Sequence, residues 1–157
     1  MENLDFKYNE KVISINDICE LEEQIGLKFP DEFVKHYMQF NGGYPNANWS
    51  EGEEINYPFG YFFSIKYGKK TIKDKLDEFQ SIGFDYGTKI IFAIKDIGYT
   101  FYIDLSDEFY GQIFVRIPKY IREEKQYSLS KGRWEYHCET FADFLSGLNQ
   151  INYKPIS

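Results

Sequence analysis

The sequence KIIFAIKDIGYTFYIDLSDEFYGQIFVRI, residues 89–117, contains three short apolar runs separated by turn-forming residues. Runs rich in β-branched and aromatic residues predict β-strands. The connections between them are too short for a parallel crossover, so the strands are predicted to form an antiparallel meander. The three predicted strands cover residues 89–95, 99–105 and 112–117, and the turns between them cover 96–98 and 106–111.

Side chains that alternate along a strand point to opposite faces of the sheet. In the second and third strands this alternation predicts one apolar face and one partly polar face. The apolar face is predicted to carry Phe101, Ile103, Leu105, Ile113, Val115 and Ile117, and the opposite face Tyr102, Asp104, Gln112 and Arg116.

Four amphipathic segments outside this region predict helices. Each combines a helix-starting residue with apolar side chains spaced three or four residues apart. The sequence Asn-Gly-Gly at 41–43 follows the second segment, and these residues tolerate the positive φ of a sharp turn. A further strand is predicted over residues 133–139. The helices are predicted to begin near Asn16, Pro30, Thr71 and Thr140, with apolar faces on Ile18, Leu21 and Ile25, on Phe33, Tyr37 and Phe40, on Ile72, Leu76 and Phe79, and on Phe141, Phe144, Leu145 and Leu148.

These patterns predict an α+β fold in a single domain, residues 1–157. A mainly antiparallel central sheet would have two N-terminal helices, one middle helix and one C-terminal helix packed around it. A chain of 157 residues can sustain one core without disulfides. Aromatic residues make up 20% of the chain, and they can either fill the core or provide contacts at a protein interface.

The charge of the chain restricts its partners. Eighteen Lys and Arg against 25 Asp and Glu give a formal charge of −7, which repels phosphate backbones and acidic membrane surfaces and favours a basic protein partner. The start of the chain has no signal-peptide pattern, and no apolar stretch is long enough for a membrane span. Cys19 and Cys138 show no disulfide-framework spacing, so free thiols and a cytoplasmic location are predicted.

Two acidic segments provide the candidate partner-binding residues. Residues 44–57 are polar and rich in turn formers, and predict an exposed loop. An aromatic anchor beside carboxylates suits a basic target, and further carboxylates occur at the end of the second meander strand. The candidates are Trp49, Glu51, Glu53, Glu54 and Tyr57 in the loop, and Asp104, Asp107 and Glu108 in the later segment.

Catalytic, metal-binding and phosphate-binding sites are weaker alternatives. A Cys138 nucleophile served by His36 or His137 lacks a recognisable signature. The side chains of His137 and Cys138 would diverge on a strand, and no Cys-x₂-Cys pair exists, which argues against zinc. The sequence GKKT at 68–71 resembles part of a phosphate-binding loop, but Phe63 stands where the first glycine should be. No cofactor and no enzymatic activity are predicted.

The sequence ISINDICELEEQIGLKFPDEFVKHYMQFNGGYP, residues 13–45, resembles the opening signature of the SUKH superfamily, specifically its Smi/Knr-type cell-wall-regulator domain. In that family a short helix is followed by an apolar residue and proline, a second helix and an Asn-Gly-Gly turn. Residues 90–116 resemble its strand, turn and strand with a closing glycine, and 140–148 resemble its terminal helix, so the similarity covers about residues 11–148. The turn at 96–98 departs from the glycine-richer turn of many relatives. The residues that fit the opening pattern are Ile18, Leu21, Glu22, Ile25, Gly26, Phe29, Pro30, Asn41, Gly42 and Gly43.

The resemblance implies protein binding and no catalytic motif. Bacterial members are implied to be immunity proteins that bind and neutralise toxin domains, often nucleases. Fungal relatives resemble signalling scaffolds for cell-wall synthesis. We therefore expect an immunity protein that occludes the active surface of a basic toxin domain, with an intracellular regulatory scaffold as the alternative. The oligomeric state is left open.

Overall fold

The computed structural model of the chain describes residues 4–96 and 98–151. These residues form four helices and ten strands, and the mostly antiparallel arrangement confirms the predicted α+β fold class. None of the helices in these two ranges has the length and apolar character needed to span a membrane. In chain order the elements are β1 (Phe6–Lys7), α1 (Ile15–Ile25), α2 (Asp31–Gln39), β2 (Tyr44–Pro45), β3 (Trp49–Ser50), β4 (Tyr57–Pro58), β5 (Tyr61–Phe62), α3 (Ile72–Ser81), β6 (Lys89–Lys95), β7 (Tyr99–Asp104), β8 (Ile113–Ile121), β9 (Gln126–Cys138), α4 (Phe141–Ser146) and β10 (Leu148–Asn149).

The central sheet has the strand order β5-β6-β7-β8-β9, and its neighbouring strands are antiparallel. Strands β6, β7 and β8 correspond to the three runs in residues 89–117, so the predicted meander is confirmed. Phe101 at the centre of β7 pairs with Ala93 of β6 and with Val115 of β8. Within the predicted turn at 96–98, Ile97 lies outside the described residues.

One face of this sheet packs against α2 and α4 through a cluster of aromatic rings. The ring centroids of Phe33 on α2 and Phe141 on α4 are 4.9 Å apart, and Phe92 of β6 lies 5.1 Å from Phe144 in an edge-to-face arrangement. All four rings are fully buried. Burying one such side chain contributes roughly 1.5–3 kcal/mol, so much of the aromatic content stabilises this core.

The opposite face of the sheet carries polar residues, as the alternation predicts, but it is also buried. Helix α3 covers it, and Phe79 of α3 stacks on the fully buried Tyr102 at 6.4 Å. Arg116 is only 7% exposed, and its guanidinium lies over the ring of Trp134 while its Nε donates a hydrogen bond to the Leu129 carbonyl. A polar side chain is tolerated inside a protein when it has such partners. The central sheet is therefore covered on both faces, and the buried residues of the two faces belong to one hydrophobic cluster.

The last strand of the sheet, β9, is longer than predicted, since it spans Gln126–Cys138 instead of 133–139. It forms a long hairpin with β8, whose own end extends beyond the predicted residue 117. Much of the added length is exposed, so its residues lack the apolar alternation from which a strand is predicted. Gly132 allows the two strands to approach, because a Cβ there would overlap the Ile117 carbonyl.

Two helices begin at the predicted capping residues. The hydroxyl of Thr71 accepts a hydrogen bond from the backbone N–H of Asp74 at 3.1 Å, before α3. The hydroxyl of Thr140 accepts one from the N–H of Asp143 at 3.0 Å, before α4. These bonds satisfy N–H groups that have no partner within the helix.

Two helix boundaries differ from the prediction. Helix α1 begins earlier than Asn16, because Ser14 is its N-cap and donates its backbone N–H to the Asp17 carboxylate at 2.9 Å. Helix α4 ends at Ser146, so Leu148 pairs with Ser50 of β3 as part of β10, in a separate three-stranded sheet, instead of extending the helical face.

The Asn-Gly-Gly turn after α2 joins three separate segments of the chain. The Asn41 side chain is 2% exposed; its amide donates to the Lys11 carbonyl at 2.9 Å and the Lys66 carbonyl at 2.7 Å, and its oxygen accepts from Ile65 N–H at 2.9 Å. Gly42 follows with φ of 79°, and a Cβ there would come within 2.9 Å of the Ser64 backbone. The turn therefore holds the N-terminal segment against the residues that precede α3.

Candidate protein-binding surface

The acidic loop, residues 51–56, connects β3 to β4 and is anchored through its backbone. Glu51 N–H donates to the Gly147 carbonyl at 2.8 Å, and Glu53 N–H donates to the His137 carbonyl at 2.9 Å. Strand β3, before the loop, pairs with β10 on one side and β4 on the other. The loop is thus attached to the ends of β9 and α4, while the side chains of Glu51 and Glu53 remain exposed.

An open cleft of about 420 Å³ lies between the acidic loop, the end of β9 and α4. Glu51, Glu53, Glu139 and Asp143 contribute to its lining, and we call these four residues the acidic groove. Among the described residues, those that line the cleft include no lysine or arginine. Within residues 4–96 and 98–151, no lysine or arginine forms an ion pair with any of the four carboxylates. Their negative charge is available to a partner.

Three aromatic side chains extend from the acidic groove to the turn between β7 and β8. Tyr136 donates its hydroxyl to the Glu53 carboxylate, and its ring lies 5.9 Å from Phe114. Phe114 lies 6.4 Å from Phe109 in that turn. Tyr136 and Phe109 are 42% and 40% exposed. We call Phe109, Phe114 and Tyr136 the aromatic bridge. Partial burial and the nearby Glu53 carboxylate raise the pKa of Tyr136, so its hydroxyl remains a hydrogen-bond donor.

The structure places the eight predicted partner-binding residues in different environments. In the segment predicted as an exposed loop, the short strands β3 and β4 bury some residues: Tyr57 is 5% exposed, and its ring packs 5.2 Å from Tyr99. Trp49 is half-buried. The aromatic bridge connects the two acidic segments. The exposed members of the predicted set are Glu51, Glu53, Glu54, Asp107 and Glu108.

Asp104 does not offer its carboxylate to a partner, because it is 1% exposed. It accepts hydrogen bonds from the Thr88 hydroxyl at 2.9 Å and Ser106 N–H at 2.8 Å, and forms an ion pair with Lys89 at 3.2 Å. Burial alone would raise the pKa of Asp104, but the hydrogen bonds from Ser106, Thr88 and Lys89 outweigh it and hold the pKa below its usual value. These contacts tie the ends of β6 and β7 together, which is a structural role.

Cys138 lies at the base of the acidic groove, but its thiol is buried. Burial, with the nearby negative charges of Asp143, Glu53 and Glu32, raises the pKa of Cys138 to about 12. A nucleophilic cysteine requires the opposite shift, because the thiolate is the reactive form. Among the described residues, no group of three His, Cys, Asp or Glu side chains is placed to hold a metal ion.

The two histidines are buried and neutral. His36 is enclosed by aromatic rings, including Phe62 at 5.0 Å, and Nε2 of His137 lies 2.7 Å from the Ser50 hydroxyl. Burial lowers the pKa of each histidine to about 4. Ser50 is itself fully buried, so this Ser-His pair is not open to a substrate. It links β3 to β9 beneath the acidic loop, where a Cβ on Gly52 would come within 2.5 Å of His137 Nδ1.

The GKKT sequence at 68–71 forms a turn before α3. Ser64 holds this turn: its backbone N–H donates to the Lys70 carbonyl at 3.0 Å and its hydroxyl donates to the Tyr67 carbonyl at 2.8 Å. The Thr71 hydroxyl caps α3. The segment is a turn that leads into a capped helix.

Sequence reasoning missed several residues of this surface. Glu139 lies at the end of the predicted strand 133–139 and Asp143 in the predicted C-terminal helix, and none of Glu139, Asp143, Phe109 and Tyr136 is among the predicted partner-binding residues. Capping boxes and strand ends are recognised from a few neighbouring residues. They therefore do not predict that the ends of β9 and α4 lie beside the acidic loop. A useful signal is that carboxylates recur just before and within the α4 cap, more often than capping alone requires.

Comparison with known protein families supports the resemblance noted from the sequence. The SMI1 / KNR4 family (SUKH-1) matches residues 13–147. This region contains the four helices, the central sheet and the acidic groove. No curated protein matches the chain. The family match covers most of the chain, and the protein therefore belongs to the SMI1/KNR4 family (SUKH-1).

Proposed function

We propose that this protein is an immunity protein that binds a basic toxin domain and neutralises it by covering its active surface. The observation that carries the proposal is the acidic groove, with four carboxylates and an aromatic bridge beside it. The SMI1/KNR4 family includes immunity proteins, and membership of this family supports a role in protein binding.

Electrostatics favour a basic partner at this surface. A net charge of −7 attracts a cationic protein over a distance of about 10 Å at 0.1 M salt. The acidic groove would then supply local contacts, because no ion pair among the described residues neutralises its carboxylates. Lysine and arginine side chains that normally contact a negatively charged substrate would be the natural ligands of these carboxylates. Binding there would exclude the substrate without any chemical step.

The aromatic bridge would add affinity once the charges have brought the two proteins together. Tyr136 and Phe109 expose parts of their rings, and aromatic residues are frequent among the few side chains that dominate binding energy. The hydrogen bond from Tyr136 to Glu53 orients one carboxylate of the groove beforehand. Such preorganisation reduces the entropy lost on binding.

The interior chemistry supports a binding role over catalysis. Cys138 is held as a thiol, and both histidines are buried and neutral. An enzyme would need convergent titratable groups in a cleft that a substrate can enter. His36, His137 and Cys138 are instead buried in the interior, where burial shifts their pKa values away from those of a reactive group.

The first experiment identifies the partner by affinity capture from the source organism grown in competition with its kin. The wild-type chain is expected to retain one stoichiometric toxin fragment, whose toxicity it suppresses on co-expression. Capture of several substoichiometric signalling or wall-synthesis proteins, with no toxin among them, would contradict the immunity role and favour the regulatory scaffold.

The binding surface is tested by charge reversal. In the variant Glu51→Lys, Glu53→Lys, Glu139→Lys we expect the association rate with the captured toxin domain to fall at least about tenfold at low salt. The matched control, Glu23→Lys, Glu123→Lys, Glu124→Lys, changes the net charge equally at exposed positions outside the groove. If both variants slow association to the same extent, the groove is not the contact surface.

A further inference from the structure

Another cleft, of about 430 Å³, lies where β5 meets the Asn-Gly-Gly turn and the N-terminal segment. Three tyrosines form one of its walls. The ring of Tyr44 is 5.9 Å from that of Tyr8 and 4.9 Å from that of Tyr61. Tyr8 is 81% exposed and Tyr44 is 41% exposed, so the rings present aromatic surface to solvent. We call this site the tyrosine cleft.

The tyrosine cleft is locally basic, in contrast to the chain as a whole. Lys69 and Lys70 line it, and Lys70 Nζ lies 4.4 Å from the centre of the Tyr61 ring. Glu10 is the one carboxylate among the described lining residues. Its carboxylate lies beside Gly68, where an added Cβ would overlap it.

Two further lysines lie over the ring of Tyr67, next to the cleft. Lys11 Nζ lies 5.2 Å and Lys66 Nζ 5.6 Å from the centre of the Tyr67 ring. Tyr67 immediately precedes Gly68, which lines the cleft. Lys66 also forms an ion pair with Asp17 at 3.0 Å. Among the described residues, Lys11, Lys69 and Lys70 are therefore the lysines of this group whose charge no ion pair neutralises, on a protein whose formal charge is −7.

The backbone around the cleft is held in unusual conformations. Tyr8 and Tyr67 have φ of 60° and 69°, in the left-handed region that is uncommon for bulky residues. Gly43 has φ of 103°, and a Cβ there would come within 2.7 Å of the Lys7 carbonyl. Strained residues of this kind persist where the surrounding structure holds them, and they concentrate at functional sites. The Asn41 hydrogen bonds to the segments at 11 and 65–66 supply that support.

We infer that the tyrosine cleft binds a short acidic peptide segment of a partner protein. Its carboxylates would pair with Lys69 and Lys70, and an apolar or aromatic side chain would lie on the exposed rings of Tyr8 and Tyr44. Tyrosine walls offer apolar contact at low conformational cost, and the lysines select negative charge. The GKKT turn would then serve as a carboxylate-binding rim instead of a phosphate loop.

The charge distribution favours a short segment over an extended polyanion. A nucleic acid strand or an anionic membrane would extend beyond these lysines, where the net negative charge of the protein repels it. A peptide of a few residues can keep its carboxylates within reach of Lys69 and Lys70. The tyrosine cleft shares no lining residue with the acidic groove, so the two sites can be tested separately.

The test is a selection from a displayed library of random linear peptides, with the full chain as bait. Enriched peptides are expected to combine several Asp or Glu residues with an aromatic or aliphatic one. Synthetic copies are then measured by fluorescence anisotropy, and replacing their acidic residues with Gln or Asn should weaken binding at least about tenfold. Because basic peptides could be selected by the acidic groove, the deciding result concerns the acidic ones: a selection that enriches no acidic peptide would overturn the inference.

Variants of the chain then locate the site. Lys69→Glu, Lys70→Glu is expected to weaken binding of the selected peptides at least about tenfold, and Tyr8→Ala about threefold to tenfold. The control Lys119→Glu, Lys131→Glu changes the net charge equally at exposed positions on β8 and β9, and should retain most of the affinity. Thermal unfolding checks that each variant is folded. Equal losses in both lysine variants, or binding of a single-stranded oligonucleotide or anionic phospholipid vesicles that displaces the peptide, would also refute it.

Discussion

The Asn41 side chain is predicted to be the most important single hydrogen-bonding group outside the regular elements. The substitution Asn41→Ala removes two donated bonds, to the carbonyls of Lys11 and Lys66, and one accepted bond, from the buried N–H of Ile65. Each lost bond costs about 0.5–1.5 kcal/mol, and a buried group left unsatisfied costs about 1–3 kcal/mol. We expect the free energy of unfolding to fall by about 3–5 kcal/mol.

The loss can be measured by urea denaturation, followed by circular dichroism, with the wild type and Asn41→Ala compared under the same conditions. At about 2–4 °C per kcal/mol for a domain of this size, thermal unfolding should shift by roughly 6–20 °C. Asn56→Ala is the control, since the Asn56 side chain is exposed and accepts one bond of 3.3 Å from Gly52. It should change stability by less than about 0.5 kcal/mol.

The variant Asn41→Asp separates the hydrogen bonds from side-chain volume. It retains an acceptor for Ile65 N–H but places a carboxylate against two carbonyl oxygens. At pH 7 this is expected to be at least as destabilising as alanine, because a buried charge without a partner is costly. If Asn41→Ala lost less than about 1 kcal/mol, or if Asn41→Asp were as stable as the wild type, the proposed role of Asn41 in joining the three segments would be refuted.

Three further predictions concern buried titratable groups. Burial lowers the pKa of His36 and of His137 from 6.5 to about 4, so the unfolded chain binds more protons than the folded chain between these pH values. The free energy of unfolding should therefore fall by about 1.4 kcal/mol per pH unit for each histidine as pH decreases from 6.5 to 4. Urea titrations that show no such slope, or the same slope in His36→Phe, would contradict this. Iodoacetamide should add one carbamidomethyl group to the native protein, at the exposed Cys19, and a second group at Cys138 only in urea. Rapid labelling of Cys138 in the native protein, detected by mass spectrometry, would disprove its burial. Since the pKa of Asp104 is lowered in the folded protein, its charged form stabilises the fold above the unfolded pKa of about 3.9. The difference in the free energy of unfolding between wild type and Asp104→Asn should therefore narrow as pH falls below about 3.9. A difference that stays constant would argue against a contribution of the Asp104 charge.

Local patterns were sufficient for the elements that are apolar on one side. The strands β6 and β7 were predicted to within a residue, because buried strands concentrate β-branched and aromatic residues between short turns. The starts of α3 and α4 were predicted from Thr71 and Thr140, since a capping box acts within one turn of a helix. The exposed half of β9 was missed because it lacks an apolar face; its strand conformation is stabilised by pairing with β8.

The candidate surface was predicted in part. The sequence of residues 51–54 identified an acidic segment, and the structure shows that its glutamates are exposed. Asp104 and Tyr57 were chosen for composition and position, but tertiary packing buries both. The sequence alone does not distinguish a carboxylate that stays exposed to solvent from a buried one such as Asp104. The partners of Asp104, which are Lys89, Thr88 and Ser106, are brought to it only by folding.

By itself the sequence determined the fold class, the family and the sign of the net charge. These follow from the spacing of apolar residues, the order of short motifs and the residue counts, all of which are properties of the chain before it folds. Only the tertiary structure decided where the charges lie. It joins Glu51 and Glu53 to Glu139 and Asp143 in one groove, and gathers lysines beside three tyrosines in another cleft. The physical reason is that these groups lie far apart along the chain, and packing of the sheet, α4 and the Asn-Gly-Gly turn brings them together.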